Sequence, residues 1–122
     1  MTHLIIDGDD IGRQITAFYL RNDATGLSGF ISCLQSKLQL ITDFLESAGF
    51  SIIFSAADGV AAHCDASLLN DNEVYQSIEA IAGDSGLTFS VGVGTNLREA
   101  YVALLSAKSN GKAHLRNYRD IT

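Results

Sequence analysis

Ser51-Ile52-Ile53-Phe54-Ser55 and Val60-Ala61-Ala62-His63-Cys64 flank the short segment Ala56-Ala57-Asp58-Gly59. Two β-rich runs separated by a short turn read as a hairpin, here with an aspartate at its tip. Outward toward the N-terminus, Leu4-Ile5-Ile6 ends at Asp7, and residues 3–7 read as a buried strand. Ile11 to about Leu20 fits a short helix. Asn22–Gly29 is polar and contains glycine, which predicts a break. Phe30, Ile31, Leu34, Leu38, Ile41, Phe44, Leu45 and Ala48 then recur at helical spacing, and Gly49 stands where such a helix would end.

Beyond the hairpin, Asn70-Asp71-Asn72 offers a helix start. Val74, Ile78, Ile81 and Ala82 fall on one face of that helix, and Gly83 to Gly86 close it. Leu87–Val93 reads as a strand. Asn96 can cap a further helix whose apolar face includes Leu97, Tyr101, Leu104 and Leu105. A short strand is expected after Gly111. The order β-α(α)-β-β-α-β-α-β begins as the split βαβ unit of ferredoxin-like folds. The expected class is α+β, with a mainly antiparallel sheet and helices on one face. In that topology the third strand lies between the first two, so the end of strand one and the hairpin turn share one sheet edge. Asp7 and Asp58 become neighbours.

The bulk properties fit a single domain over residues 1–122. The chain has 47% apolar residues, no proline and a net charge of −6. That charge disfavours a duplex nucleic-acid binder, which needs a basic face. It leaves room for a nucleotide, whose phosphates a metal can neutralise locally. No apolar run approaches the ~18 residues of a membrane span. Cys33 and Cys64 form no CxxC pair and read as reduced structural thiols, consistent with a cytoplasmic protein.

Asp7 and Asp58 are hard oxygen ligands suited to Mg²⁺ or Mn²⁺, and the Gly8 carbonyl can add a third. The bland reading of each aspartate is ordinary turn chemistry. Asp10-Ile11-Gly12-Arg13 opens a helix whose free N–H groups can hold phosphate. Asp9 and Asp10 would themselves repel phosphate, and helix N-capping is their favoured role. Lys108 and Lys112 lie four apart across a helix end. They read either as complements to the helix dipole or as triphosphate ligands. Gly92-Val93-Gly94 is only a fragment of a dinucleotide fingerprint, in the wrong place in the topology.

IIDGDDIG, IIFSAADGVAA and FSVGVGTNLREAYVALLSAKSNGK together resemble the minimal CRISPR polymerase (mCpol) family. These are single Palm domains related to GGDEF cyclases and to the polymerase subunit of type III CRISPR complexes. The resemblance implies a Palm fold and a nucleotidyltransferase that joins nucleoside triphosphates, ATP favoured, into a cyclic di- or oligonucleotide signal in bacterial anti-phage defence. It implies an effector protein that senses the product. Asp7, Gly8 and Asp58 match the metal-binding positions, Ala56 and Ala57 the signature hairpin, and Lys108 and Lys112 the triphosphate lysines.

The chain departs from the family pattern in three places. Both signature glycines are alanine, and the second acidic position is Gly59. An alternative is therefore a degenerate Palm that binds nucleotide or a partner as a regulatory module. A phospho-receiver is the other alternative, but it needs a strand between residues 20 and 50, where the pattern is helical. A phosphodiester also requires an acceptor nucleotide, and a domain of 122 residues with one metal edge offers little room for a second complete nucleotide site. A homodimer, or a larger even assembly, with facing Asp7/Asp58 edges is therefore expected.

Overall fold

The computed structural model describes residues 1–65 and 70–121. In chain order it comprises β1 (Thr2–Gly8), α1 (Ile11–Leu20), α2 (Ala24–Ser47), β2 (Ser51–Ala56) and β3 (Gly59–Cys64). These are followed by α3 (Asp71–Ala82), β4 (Phe89–Gly94), α4 (Leu97–Ser109), β5 (Leu115–Asn117) and a 3-10 turn, Tyr118–Asp120. The strands form one sheet in the order β2-β3-β1-β4-β5. β3 lies between β1 and β2 and runs antiparallel to both, while β5 joins β4 in parallel. This is the ferredoxin-like Palm arrangement that the hairpin implied. A receiver's wholly parallel sheet is excluded, since residues 24–47 are helix.

Alternation along the strands sends two sets of side chains to opposite faces. Leu4 and Ile6 of β1, Val60 and Ala62 of β3, and Val91 and Val93 of β4 enter one core with Ile11, Leu34, Leu38, Ile41, Leu45, Val74 and Ile78. Helices α1, α2 and α3 therefore cover that face. Ile41 and Leu45 are fully buried, each worth roughly 1.5–3 kcal/mol of transfer energy.

The expectation of helices on one face only is corrected: α4 lies on the other. A Cβ at Gly92 would fall 2.0 Å from the Ala100 carbonyl, and one at Gly94 would fall 2.7 Å from the Ala100 amide. The fragment Gly92-Val93-Gly94 is thus a seat for a closely packed helix. The apolar face read for α4 is corrected too. Leu104 is buried, but the other inward positions are Ala100, Ala103 and Ala107, while Leu97, Tyr101 and Leu105 are exposed.

The break expected over Asn22–Gly29 is shorter than its composition suggested. α2 begins at Ala24, because the Asp23 carboxylate accepts from the Gly26 N–H at 2.8 Å and caps the first turn. α3 carries a full capping box between Asn70 and Glu73, and Asn96 caps α4 by accepting from the Glu99 N–H. Both cysteines are free, and burial pushes the Cys64 thiol up. Among the described residues no helix is long and apolar enough to cross a membrane.

Candidate active site at the β1 edge

The end of β1 is stitched to the hairpin turn. Asp7 pairs with Gly59, and the Gly8 N–H donates to the Asp58 carbonyl at 2.9 Å. The expected neighbourhood of Asp7 and Asp58 is therefore realised. Ala57 and Asp58 form the turn, and Ala57 adopts a left-handed φ of 55°. An L-residue there costs roughly 1–2 kcal/mol, which is why glycine suits the position. Gly59 has a different reason. A Cβ there would lie 2.8 Å from the Ile6 carbonyl and 3.2 Å from an Asp7 carboxylate oxygen. The missing second acid of the hairpin thus coincides with a close approach of β3 to β1.

Several oxygens at this edge converge on one cation. The Lys108 ammonium lies 3.1 Å from Asp7 Oδ2 and 3.2 Å from Asp9 Oδ1, and donates to the Gly8 carbonyl at 3.0 Å. Burial alone would lower the Lys108 pKa, but Asp7 and Asp9 outweigh it and hold the ammonium above its usual range. Burial pushes the Asp7 carboxyl up. Lys108 opposes the rise, and the adjacent Asp58 carboxyl reinforces it. Among the described residues no three His, Cys, Asp or Glu side chains gather as a metal cluster. A site of two carboxylates and one carbonyl still suits Mg²⁺ or Mn²⁺, which complete their shells with water and substrate phosphate. That Asp7 and Gly8 already share a cation fits this chemistry.

Asp9, expected only to cap α1, is instead a buried anchor. It is 4% exposed, and its carboxylate accepts from Ser90 Oγ at 2.7 Å, Thr88 Oγ1 at 2.8 Å and the Ala113 N–H at 2.9 Å. Burial would raise its pKa, but these donors and Lys108 together hold it below the ordinary value. Asp9 therefore ties the β1–α1 loop to β4 and to the turn after α4. The N-capping role expected of Asp9 and Asp10 is corrected. Asp10 occupies the N-cap position in a left-handed conformation, but its side chain makes no capping bond. It pairs instead with Lys112, the main cause of its lowered pKa, and with Arg13 at 3.5 Å. The opening amides of α1 at Ile11, Gly12 and Arg13 are left without a side-chain cap.

Gly12 has open space where a Cβ would stand. Ile11 and Gly12 join Ala57, Asp58, Leu34 and Gln35 around a cavity of about 300 Å³ between α1, α2 and the hairpin tip. Ala56 is exposed at the end of β2. The structure thus brings Asp7, Gly8, Asp58, Ala57, the α1 N-terminus and Lys108 to one edge. Lys112 is held beside them through Asp10, while Arg13 projects into solvent with a side chain 79% exposed.

A similar architecture occurs in solved GGDEF domains. The active GGEEF domain of a diguanylate cyclase from Vibrio cholerae matches with a TM-score of 0.66 at 13% identity, covering 98% of this chain and 83% of that one. The GGDEF domain of DgcB from Caulobacter crescentus, solved with c-di-GMP, matches with a TM-score of 0.63 at 12% identity, covering 98% and 78%. The GGDEF domain of PA1120 from Pseudomonas aeruginosa gives 0.61 at 15% identity, covering 96% and 76%. These likenesses establish the fold of a GGDEF domain. No curated protein matches the chain. The mCpol profile, a minimal CRISPR polymerase domain, matches residues 3–118, so nearly the whole chain falls within it. The chain belongs to the mCpol family of minimal CRISPR polymerase domains.

Proposed function

We propose that this chain is a metal-dependent nucleotidyltransferase that condenses nucleoside triphosphates into a cyclic di- or oligonucleotide. The observation that carries the reading is the convergence of Asp7, the Gly8 carbonyl and Lys108 beside the Asp58 turn and the uncapped start of α1. Asp7, Asp58 and the Gly8 carbonyl would hold Mg²⁺ or Mn²⁺. Such ions lower the pKa of an attacking hydroxyl and stabilise the charge on phosphate oxygens.

The residues of the chain do the rest. The cavity between α1 and α2 takes the nucleoside, and the α1 amides receive phosphate oxygens with the help of the helix dipole. Lys108, which would be released from Asp7 where a metal took that carboxylate, and Lys112, paired with Asp10, would hold the β- and γ-phosphates. No protein nucleophile is required, because positioning and charge stabilisation dominate phosphoryl chemistry. A role in anti-phage signalling, with an effector that senses the product, follows from family membership as part of this proposal.

The test is incubation with each triphosphate and Mg²⁺ or Mn²⁺, followed by pyrophosphate assay and mass spectrometry of products. Asp58→Asn should lower turnover on the order of a hundredfold with an unchanged circular dichroism spectrum. Near wild-type turnover in that variant would refute the metal assignment. Triphosphate binding with no pyrophosphate from the wild-type chain would favour the regulatory reading that Ala56, Ala57 and Gly59 motivate.

A further inference from the structure

A transfer between two nucleotides needs two binding spaces that meet at the reacting phosphate, and the edge bearing Asp7 and Asp58 borders two cavities. The first is the α1–α2 cavity. The second is a groove of about 710 Å³ on the opposite sheet face, between α4 and the hairpin strands. Ala57 and Asp58 line both.

Register explains the groove. Phe54, Ala61, Ile5 and Gly92 form one cross-strand row, and Ala56, Gly59, Asp7 and Ser90 form another. α4 rests on the glycines of β4, so it leaves the β2–β3 half of this face uncovered. The floor there is low because it carries Gly59 and Ala61. One wall bears Phe54, 53% exposed next to a bulge in β2, and the other bears Tyr101, also 53% exposed, with Arg98 one turn before it. Asp58 and Ala57 stand at the rim shared with the first cavity, and Asp7 lines the groove beside them.

We infer that this groove binds the acceptor nucleotide. Its base lies between Phe54 and Tyr101, its phosphate faces Arg98, and its ribose hydroxyl is directed at the carboxylate edge. Aromatic walls suit any base face, and a guanidinium suits phosphate. In the step, the acceptor oxygen forms a bond to the donor α-phosphorus and its proton passes to solvent. The bond from that phosphorus to the bridging oxygen breaks, and pyrophosphate leaves. The inference rests on the nucleotidyl-transfer reading and assigns a second substrate site to it.

The experiment separates the substrates. A 2′,3′-dideoxynucleoside triphosphate is a donor without an acceptor hydroxyl, and a nucleoside monophosphate is an acceptor without a leaving pyrophosphate. Adenine and guanine pairs are run in parallel, and dinucleotide formation is followed against each concentration. Phe54→Ala and Tyr101→Ala should raise the acceptor KM on the order of tenfold and leave the donor KM within about twofold. Arg98→Ala should raise the KM of the monophosphate but not that of the unphosphorylated nucleoside.

An unchanged acceptor KM in both aromatic variants overturns the site, as does altered self-association in place of altered kinetics. Nuclear magnetic resonance titration of the wild-type chain with the monophosphate keeps the two readings apart. Shifts at Phe54 and Tyr101 without any dinucleotide product would sink the chemistry and retain the site. Shifts confined to the α1–α2 cavity would sink the site.

Discussion

Asp9 touches no atom that would react, yet three uncharged donors and an ammonium converge on its buried carboxylate. Asp9→Ala leaves Ser90, Thr88 and the Ala113 amide without their acceptor and removes one of the two carboxylates that hold Lys108. A loss of about 3 kcal/mol in urea-induced unfolding is expected, the usual scale for breaking a buried charged network. A loss below about 1 kcal/mol, as for an exposed pair, would show that Asp9 is peripheral. Tyr75 gives a pH signature of opposite origin. Burial first, then the charges of Glu79 and Asp9, push its phenol up to about 12. Below the unfolded value of about 10 the contribution of Tyr75 is fully present; it is lost as pH rises through the folded value. Stability should therefore fall on the way to a pH of about 12, and less so in Tyr75→Phe. Alkaline unfolding curves that coincide for the two chains would contradict this. In the sequence Asp9 read as a helix cap, and Tyr75 did not stand out. The partners of Asp9 come from β4 and the turn after α4, and a carboxylate after a strand looks the same whether it binds a metal or a hydroxyl. Asp7 and Asp58 were legible because each ends or turns a strand whose pairing the topology dictates.

At the scale of elements, the contact between α4 and β4 is set by absent side chains. Gly92→Ala places a methyl 2.0 Å from the Ala100 carbonyl and 2.4 Å from the Leu104 amide, so the helix must lift from the sheet. Destabilisation of about 3 kcal/mol or more is expected from such overpacking. A measured change below about 1 kcal/mol would mean that α4 adjusts freely on its seat. The same contact explains what the sequence concealed. Hydrophobic periodicity weighs Leu and Tyr above Ala, so Leu97, Tyr101 and Leu105 outvoted the alanines that face the sheet. Large side chains cannot approach a glycine-lined strand so closely, and Leu97 and Tyr101 wall the groove instead. The start of α2 was hidden by Gly26 and Gly29, which lower helix propensity, while the cap from Asp23 restores it. The hairpin, by contrast, was plain, because two β-rich runs around a short turn have few other readings.

At the scale of the whole molecule, the proposed cyclic product, if a dinucleotide, would require two bonds, and one edge makes one bond at a time. The groove removes the shortage of room that first argued for a partner chain, but it does not make a single site sufficient for both bonds without rearrangement. We propose a two-fold pair with facing Asp7/Asp58 edges, in which each chain forms one of the two bonds. Both bonds then form with no release of the linear intermediate. Closed two-fold dimers are also the commonest homo-oligomers. Mixing wild-type chain with an excess of Asp58→Asn chain tests this. Most wild-type chains would then sit in pairs with one competent site, which forms one bond but not the second. Linear dinucleotide should accumulate and the cyclic fraction should fall as the inactive chain is added. If the chain sediments as a monomer at catalytic concentration and the ratio of linear to cyclic product ignores the added chain, each molecule closes the ring alone. The acceptor would then have to turn over within the groove between the two steps.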